Sequence, residues 1–217
     1  MKIPLSVRIK KEQHRKIAYA QDMIVEEVYR FFERAVLHGG TAIWRCYDGK
    51  RFSEDLDFYL TKDRGAIDTL FDALEKKGFK ILKKKTNENS LYSELMFERV
   101  NVRLEATFQK IQGHLADYET SDGNIISIYS LTPEEFTIEK VNTYLKRNKI
   151  RDLWDIYFLL KKIRNISVIK KELEKLIRNY KPPIDEKDLK IIILEGITPT
   201  SKEMLEYVKR IWENINT

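Results

Sequence analysis

Asp55 and Asp57 stand two residues apart in a run where Leu56, Phe58 and Leu60 alternate with Asp55, Asp57 and Tyr59. That alternation is the period of a β-strand with one face in a core, so both carboxylates project from the other face. Packed that close they repel unless a cation sits between them. Mg²⁺ suits such a pair, because it takes one or two carboxylates together with substrate phosphates and water. An isolated Asp-x-Asp is more often an exposed polar strand face, and the segment before it changes the balance. There Ala35-Val36-Leu37 meets His38-Gly39-Gly40-Thr41, which reads as a strand ending in a tight turn that opens a helix through Ala42 to Cys46. Backbone N–H groups at such a helix start bind phosphate. Strand, Gly-Gly-Thr turn, helix and paired-aspartate strand, in that order, make a strong combined signal for polyphosphate chemistry.

Glu105 is the best candidate for a third carboxylate. It lies on the polar face of the run 101–108, where Val102, Leu104 and Ala106 alternate with Arg103, Glu105 and Thr107. Beside the aspartate pair it can bind a catalytic metal or deprotonate an attacking hydroxyl. The alternative is a solvent-facing Glu paired with Arg103 or another cation. Arg151 and Asp155 are four residues apart and Asp152 and Asp155 three, so on a helix they share one face, with Leu153, Ile156, Tyr157 and Leu160 on the other. Spacing alone fits a surface ion-pair helix equally well. Lys140 and Arg147 fall on one stripe of the preceding helix. His38 reads as packing at a strand end, Cys46 as buried helix packing, and Trp44 and Trp154 as core. The basic groups at Lys83, Lys84 and Lys85, and at Lys170, Lys171, Lys175, Arg178 and Lys181, read as solvated faces, one of which could track a nucleic-acid backbone.

These residues need elements to position them. Ile17, Ile24, Val28 and Phe31 recur at helical spacing within 10–34, and Ile67, Leu70, Phe71 and Leu74 mark a second helix ending at Gly78. Strands are expected near 79–82, 91–100, 101–108 and 124–129. Thr132-Pro133-Glu134-Glu135 is a capping box with proline at the first helical position. Beyond it the pattern is helical: 134–147, 150–163, 168–180, a short piece near 189–194, and 202–212 behind a second box at Thr200 and Glu203. Mixed strands and helices followed by helices alone predict an α+β domain over 1–130 and a helical domain over 131–217.

The chain has 217 residues, of which 42% are hydrophobic, enough for a sizeable core without disulfides, and Cys46 has no partner to close one. The net charge of +6 leans toward polyanions. Lys- and Glu-rich composition with few glycines and prolines also resembles that of proteins from hot habitats. No signal-peptide core follows the N-terminus and no apolar run has spanning length, so the expectation is a cytoplasmic protein with no membrane partner.

The segment HGGTAIWRCYDGKRFSEDLDFYL resembles the glycine motif and paired-aspartate strand of the nucleotidyltransferase superfamily, of the DNA polymerase β-like fold. More narrowly, Arg51-Phe52-Ser53-Glu54-Asp55-Leu56-Asp57-Phe58 is similar to the Arg-x-Ser-x-Asp-Leu-Asp-Phe signature of the AbiEii/AbiGii toxin family, to which the MenT toxins are related. Glu139-Lys140, Arg147 and Arg151-Asp152-Leu153-Trp154-Asp155-Ile156 are similar to that family's Glu-Lys, Arg, Arg-Asp-Leu-x-Asp-Leu helix pair. The resemblance implies a nucleotidyltransferase-like mixed sheet with flanking helices, and transfer of an NMP from an NTP to an acceptor hydroxyl such as a tRNA 3′ end. It implies a toxin role with a cognate antitoxin partner, and Mg²⁺ or Mn²⁺ on Asp55, Asp57 and Glu105. Asp55, Asp57, Glu105, Lys140 and Asp152 are then catalytic candidates. Gly39, Gly40, Thr41, Arg51, Ser53, Lys140, Arg147, Arg151 and Asp155 are nucleotide-binding candidates. A nucleotide- or RNA-binding module without catalysis, or transfer to a protein hydroxyl, are the alternatives.

Overall fold

A computed structural model describes residues 3–214. The chain divides into two compact units, Met1–Asp48 with Phe52–Ser130, and Gly49–Arg51 with Leu131–Thr217. The second therefore includes three residues that lie, in sequence, inside the expected first domain.

The first unit carries α1 (Leu5–Arg8), α2 (Glu12–Phe31), β1 (Val36–His38), α3 (Gly39–Cys46), β2 (Asp55–Leu60), α4 (Arg64–Lys76), β3 (Lys80–Thr86), β4 (Ser90–Phe97), β5 (Val100–Phe108), β6 (His114–Glu119) and β7 (Ile125–Ser130). Among the described residues these strands form one seven-stranded mixed sheet in the order β3-β4-β5-β2-β1-β7-β6. β2 runs antiparallel to β1 and parallel to β5, and β1 runs parallel to β7. Leu56, Phe58, Leu60, Val102, Leu104 and Ala106 are buried on one face. Ile17, Ile24 and Val28 of α2 and Ile67, Leu70, Phe71 and Leu74 of α4 are buried with them, the apolar stripes that the helical spacing marks. Asp63 caps α4 by accepting from the Ala66 N–H at 3.0 Å.

Two features of this sheet differ from the expected pattern. The expected strand over 91–100 is interrupted, because Glu98 and Arg99 adopt left-handed φ of 45° and 66° and turn β4 into β5. Such a two-residue turn usually draws Asn or Gly, so nothing local announces it. β6 was not expected at all. It is an edge strand with Leu115 71% exposed, so burial does not impose alternation on its sequence. The opposite edge, β3, continues well past residue 82 and is lined with lysines, which discourages further strand pairing.

Asp22 of α2, Arg45 of α3 and Tyr118 of β6 meet inside this unit. The Arg45 guanidinium pairs with the Asp22 carboxylate, Arg45 Nε donates to the Glu119 carbonyl at 2.7 Å, and the cation lies 4.7 Å from the Tyr118 ring centroid. Tyr118 and the Ser121 N–H also donate to Asp22, at 2.9 and 2.7 Å. Burial pushes the Asp22 carboxyl above its usual range, while Arg45 and these donors pull the other way.

The second unit carries α5 (Pro133–Arg147), α6 (Ile150–Leu159), α7 (Lys170–Asn179), α8 (Leu189–Ile192) and α9 (Ser201–Asn214). Both capping boxes form: Glu135 accepts from the Thr132 N–H at 2.8 Å, and Glu203 from the Thr200 N–H at 2.7 Å. Val141, Tyr144, Leu153, Ile156, Leu173, Leu176, Met204 and Val208 make its core. Helix α6 ends at Leu159, short of the expected 163. Residues 49–51 join this unit through the Leu194 N–H, which donates to the Lys50 carbonyl at 2.9 Å, and through a bridge from Arg51 to Ile193. Among the described residues no helix is long and apolar enough to cross a membrane.

Arg45→Met leaves the Asp22 carboxylate buried without its cation. The expected cost is about 3–5 kcal/mol, read as a lower urea midpoint by tryptophan fluorescence. The double variant with Asp22→Asn should recover part of it.

Candidate active site

Strand register builds the first half of the site. Asp57 pairs with His38 of β1 on one side and with Glu105 of β5 on the other, and Asp55 pairs with Arg103. In-register neighbours point to the same face, so Asp55, Asp57 and Glu105 share the face opposite the core. β5 does neighbour β2, with Glu105 in register with Asp57. Burial, and after it the Asp57 and Asp55 charges, push the Glu105 carboxyl above its usual range against the pull of Arg103.

Gly39 opens α3 directly beside this face. Its φ is +73°, and a Cβ placed there would lie 2.1 Å from Asp57 Oδ2. Glycine is required on both counts, since a side chain would suffer left-handed strain and collide with the carboxylate. Thr41 is fully buried and donates its hydroxyl to the Asp55 carbonyl at 2.5 Å. What the turn offers a phosphate is backbone N–H, because the Thr41 side chain is engaged in holding the aspartate strand. Gln21 of α2 assists by donating to the Ser53 carbonyl at 2.9 Å, so Ser53 enters the site through its backbone.

Arg103 enters the sequence pattern only as a possible partner of Glu105, and its bond to Asp55 is not foreseen there. It donates two bonds to Asp55, at 2.7 and 2.6 Å, and lies only 4.0 Å from Glu105. The signal was present in the repeated Asp-x-Asp and Arg-x-Glu patterns, but only the parallel register sets Arg103 against Asp55. Among the described residues no three His, Cys, Asp or Glu side chains gather around one point. Asp55 and Asp57 are the pair that could hold an ion completed by phosphate and water, for which Asp55 would have to release Arg103 from at least one oxygen; Glu105 lies beside them.

The second unit holds the other motif as a buried ionic cluster. Arg51 donates two bonds to Asp155, at 2.6 and 2.7 Å, and Lys140 Nζ lies 2.7 Å from Asp155 and 3.7 Å from Asp152. Arg147 donates two bonds to Asp152, at 2.7 and 2.8 Å. Lys140 and Arg147 do share a stripe, since both reach Asp152. The carboxylates do not face solvent, as a surface ion-pair helix requires: the side chains of Asp152 and Asp155 are 0% and 1% exposed. Burial acts to raise the Asp155 carboxyl, but Arg51 and Lys140 outweigh it and hold the group below its usual range. These geometries make Asp152 and Asp155 anchors for three cations. Arg151 is half-buried on the same helix and, among the described residues, has no hydrogen-bond or ion-pair partner.

The remaining candidates pack. His38 stacks on Tyr59 at 3.9 Å, and Trp44 and Trp154 are core. Burial pushes the Cys46 thiol up to about 12, so it is no nucleophile at neutral pH. Lys84 pairs with Asp68 and Arg178 with Glu174, as solvated faces do.

A mixed sheet presenting paired aspartates beside a glycine-led helix start is the architecture of a nucleotidyltransferase. Residues 26–206 match the family described as nucleotidyl transferase AbiEii toxin, Type IV TA system, and the chain belongs to that family. The crystal structure of JHP933 from Helicobacter pylori superposes with a TM-score of 0.65 at 20% identity, covering 95% of this chain and 94% of that one. A second H. pylori crystal structure, of a protein described as a proposed nucleotidyltransferase, gives 0.65 and 20% over 95% of this chain and 97% of its own. At such identity the likeness shows the fold. No curated protein matches this sequence.

Gly39→Ala should lower nucleotide transfer on the order of 100-fold by displacing the Asp57 carboxylate, with a modest drop in melting temperature, checked by label transfer and calorimetry. The depressed Asp155 carboxyl contributes stability that is fully present above its unfolded value of 3.8 and lost as pH falls below it. Asp155→Asn should therefore melt lower at neutral pH and lose less on acidification than the parent, in paired melting curves from pH 7 to 3.

Proposed function

We propose that this enzyme transfers an NMP from an NTP to the 3′-terminal hydroxyl of an RNA, with tRNA the candidate acceptor, and releases pyrophosphate. The observation that carries the reading is the common face of Asp55, Asp57 and Glu105 beside the Gly39-led helix start. Asp55 and Asp57 would hold Mg²⁺ or Mn²⁺. Such an ion, when bound, neutralises charge on the reacting phosphate.

The backbone N–H groups of the turn orient the triphosphate, and Gly39 permits its close approach. Glu105 accepts the proton of the attacking hydroxyl. Its raised carboxyl supports that role, because a base works best when its proton affinity lies nearer the working pH. In the second unit, Arg51, Lys140 and Arg147 outnumber Asp152 and Asp155. Together with Arg151 this supports a polyphosphate-binding role, in which the two aspartates position the cations. The net charge of +6 favours a polyanionic acceptor. The family supports a cytoplasmic toxin held in check by a cognate antitoxin protein.

The test is incubation with each α-labelled NTP, Mg²⁺ and total tRNA. Label should enter RNA with the parent protein and not with Asp55→Asn or Asp57→Asn. Asp55 loses only a half-exposed pair with Arg103, worth about 0–1 kcal/mol, so melting should barely move. Label on protein instead of RNA would replace the acceptor, and no label at all would overturn the transfer reading.

A further inference from the structure

A cavity of about 720 Å³ opens at the far end of the catalytic strand, within the first unit. This volume lies in the range of roughly 300–1,000 Å³ that encloses small ligands. Tyr59, which lines it, follows Asp57 by two residues and therefore projects from the same face of β2. Two strand residues span about 6.7 Å, so the cavity begins one short step from the reacting centre. Its position is set by the fold. His38, the register partner of Asp57, stacks on the Tyr59 ring with an interplanar angle of 8° and fixes it. The opposite wall is the segment 109–113 that leaves β5. A Cβ on Gly113 would lie 2.8 Å from both Val36 Cγ2 and Tyr129 Cβ, so the wall is seated against β1 and β7.

The lining has a definite chemistry. It contains Arg34 and Lys110 and no Asp or Glu. Arg34 donates to the Tyr129 hydroxyl at 2.7 Å and lies 5.2 Å from that ring's centroid. Among the described residues neither Arg34 nor Lys110 pairs with a carboxylate. Two uncompensated cations call for an anion, Tyr59 and Ile111 offer apolar faces for a flat ring, and Gln109 and Gln112 offer amide groups for its edges. Anionic, flat and hydrogen-bonding at its edge describes a nucleotide unit.

We propose that this cavity binds the nucleotide preceding the reacting 3′ end of an RNA acceptor. The proposal rests on the RNA-acceptor reading above. The donor NTP is the weaker occupant, because its phosphates belong at the Gly39 turn and its base is neutral, whereas an RNA strand carries a phosphate at every step. Tyr59 and Ile111 hold the base, and Arg34 and Lys110 hold its phosphate.

The test uses the full chain with Arg34→Gln, Lys110→Gln and the double variant, each first checked for an unchanged melting temperature. The RNA probe is a short fluorescein-labelled oligoribonucleotide ending in a 3′-deoxynucleotide, which cannot accept transfer, followed by anisotropy. The donor probe is an α,β-methylene NTP with Mg²⁺, followed by calorimetry. The double variant should bind RNA roughly tenfold more weakly, the worth of one or two charge-assisted contacts, while donor affinity stays constant. Its log–log salt dependence should be shallower by about 0.7, the slope of one single-strand phosphate contact. Unchanged RNA affinity overturns the cavity assignment and leaves the RNA acceptor standing. A parallel loss of donor affinity assigns the cavity to the NTP and overturns it too. If the parent chain neither binds nor labels RNA, the acceptor reading itself fails, and the cavity assignment with it.

Discussion

The backbone at Gly39 and the carboxylate of Asp57 approach so closely that no side chain fits between them. Around that contact β1 pairs with β2 and α3 starts at the level of the aspartates. Thr41 and Gln21 then tie the entry of β2 to α3 and α2 through the Asp55 and Ser53 carbonyls. The start of α3 and the entry of the aspartate strand are thereby held in one geometry by buried side chains that donate to main-chain carbonyls. The same restraint explains why a buried threonine stands in the glycine turn: its hydroxyl donates to the Asp55 carbonyl and serves the scaffold.

The second unit solves a different problem. A buried carboxylate is costly unless its charge is matched and its lone pairs are satisfied. Asp155 receives three donors from Arg51 and Lys140, and Asp152 receives two from Arg147 with Lys140 nearby. Three cations thus gather on two carboxylates, and Arg151 lies on the same helix as those carboxylates. A cluster built this way holds its cations in fixed positions, at the cost of stability below the carboxylate range.

Basic residues on this protein fall into two kinds. Lys83, Lys84 and Arg178 sit beside Glu94, Asp68 and Glu174, which cancel their charge locally. Arg34, Lys110 and Arg151 have no such partners, and the first two line one cavity. The net charge of +6 thus says less about an anionic ligand than does the placing of Arg34 and Lys110 in one cavity that has no Asp or Glu in its lining.

Local pattern was enough for much of this. The alternation around Leu56 put Asp55 and Asp57 on one face, the glycines before Thr41 announced a helix start, and both capping boxes marked their helices, because each depends on residues within one turn or one strand. The partners of those charges were not legible. Arg103 meets Asp55 across 48 positions and Arg51 meets Asp155 across 104. Glu98 and Arg99 turn the chain without turn residues, and β6 alternates weakly because an edge strand is not sorted by burial. Sequence periodicity reports which side of an element faces a core. Which charges then meet, and whether they are buried, depends on strand register and helix packing, which the sum of long-range core contacts decides.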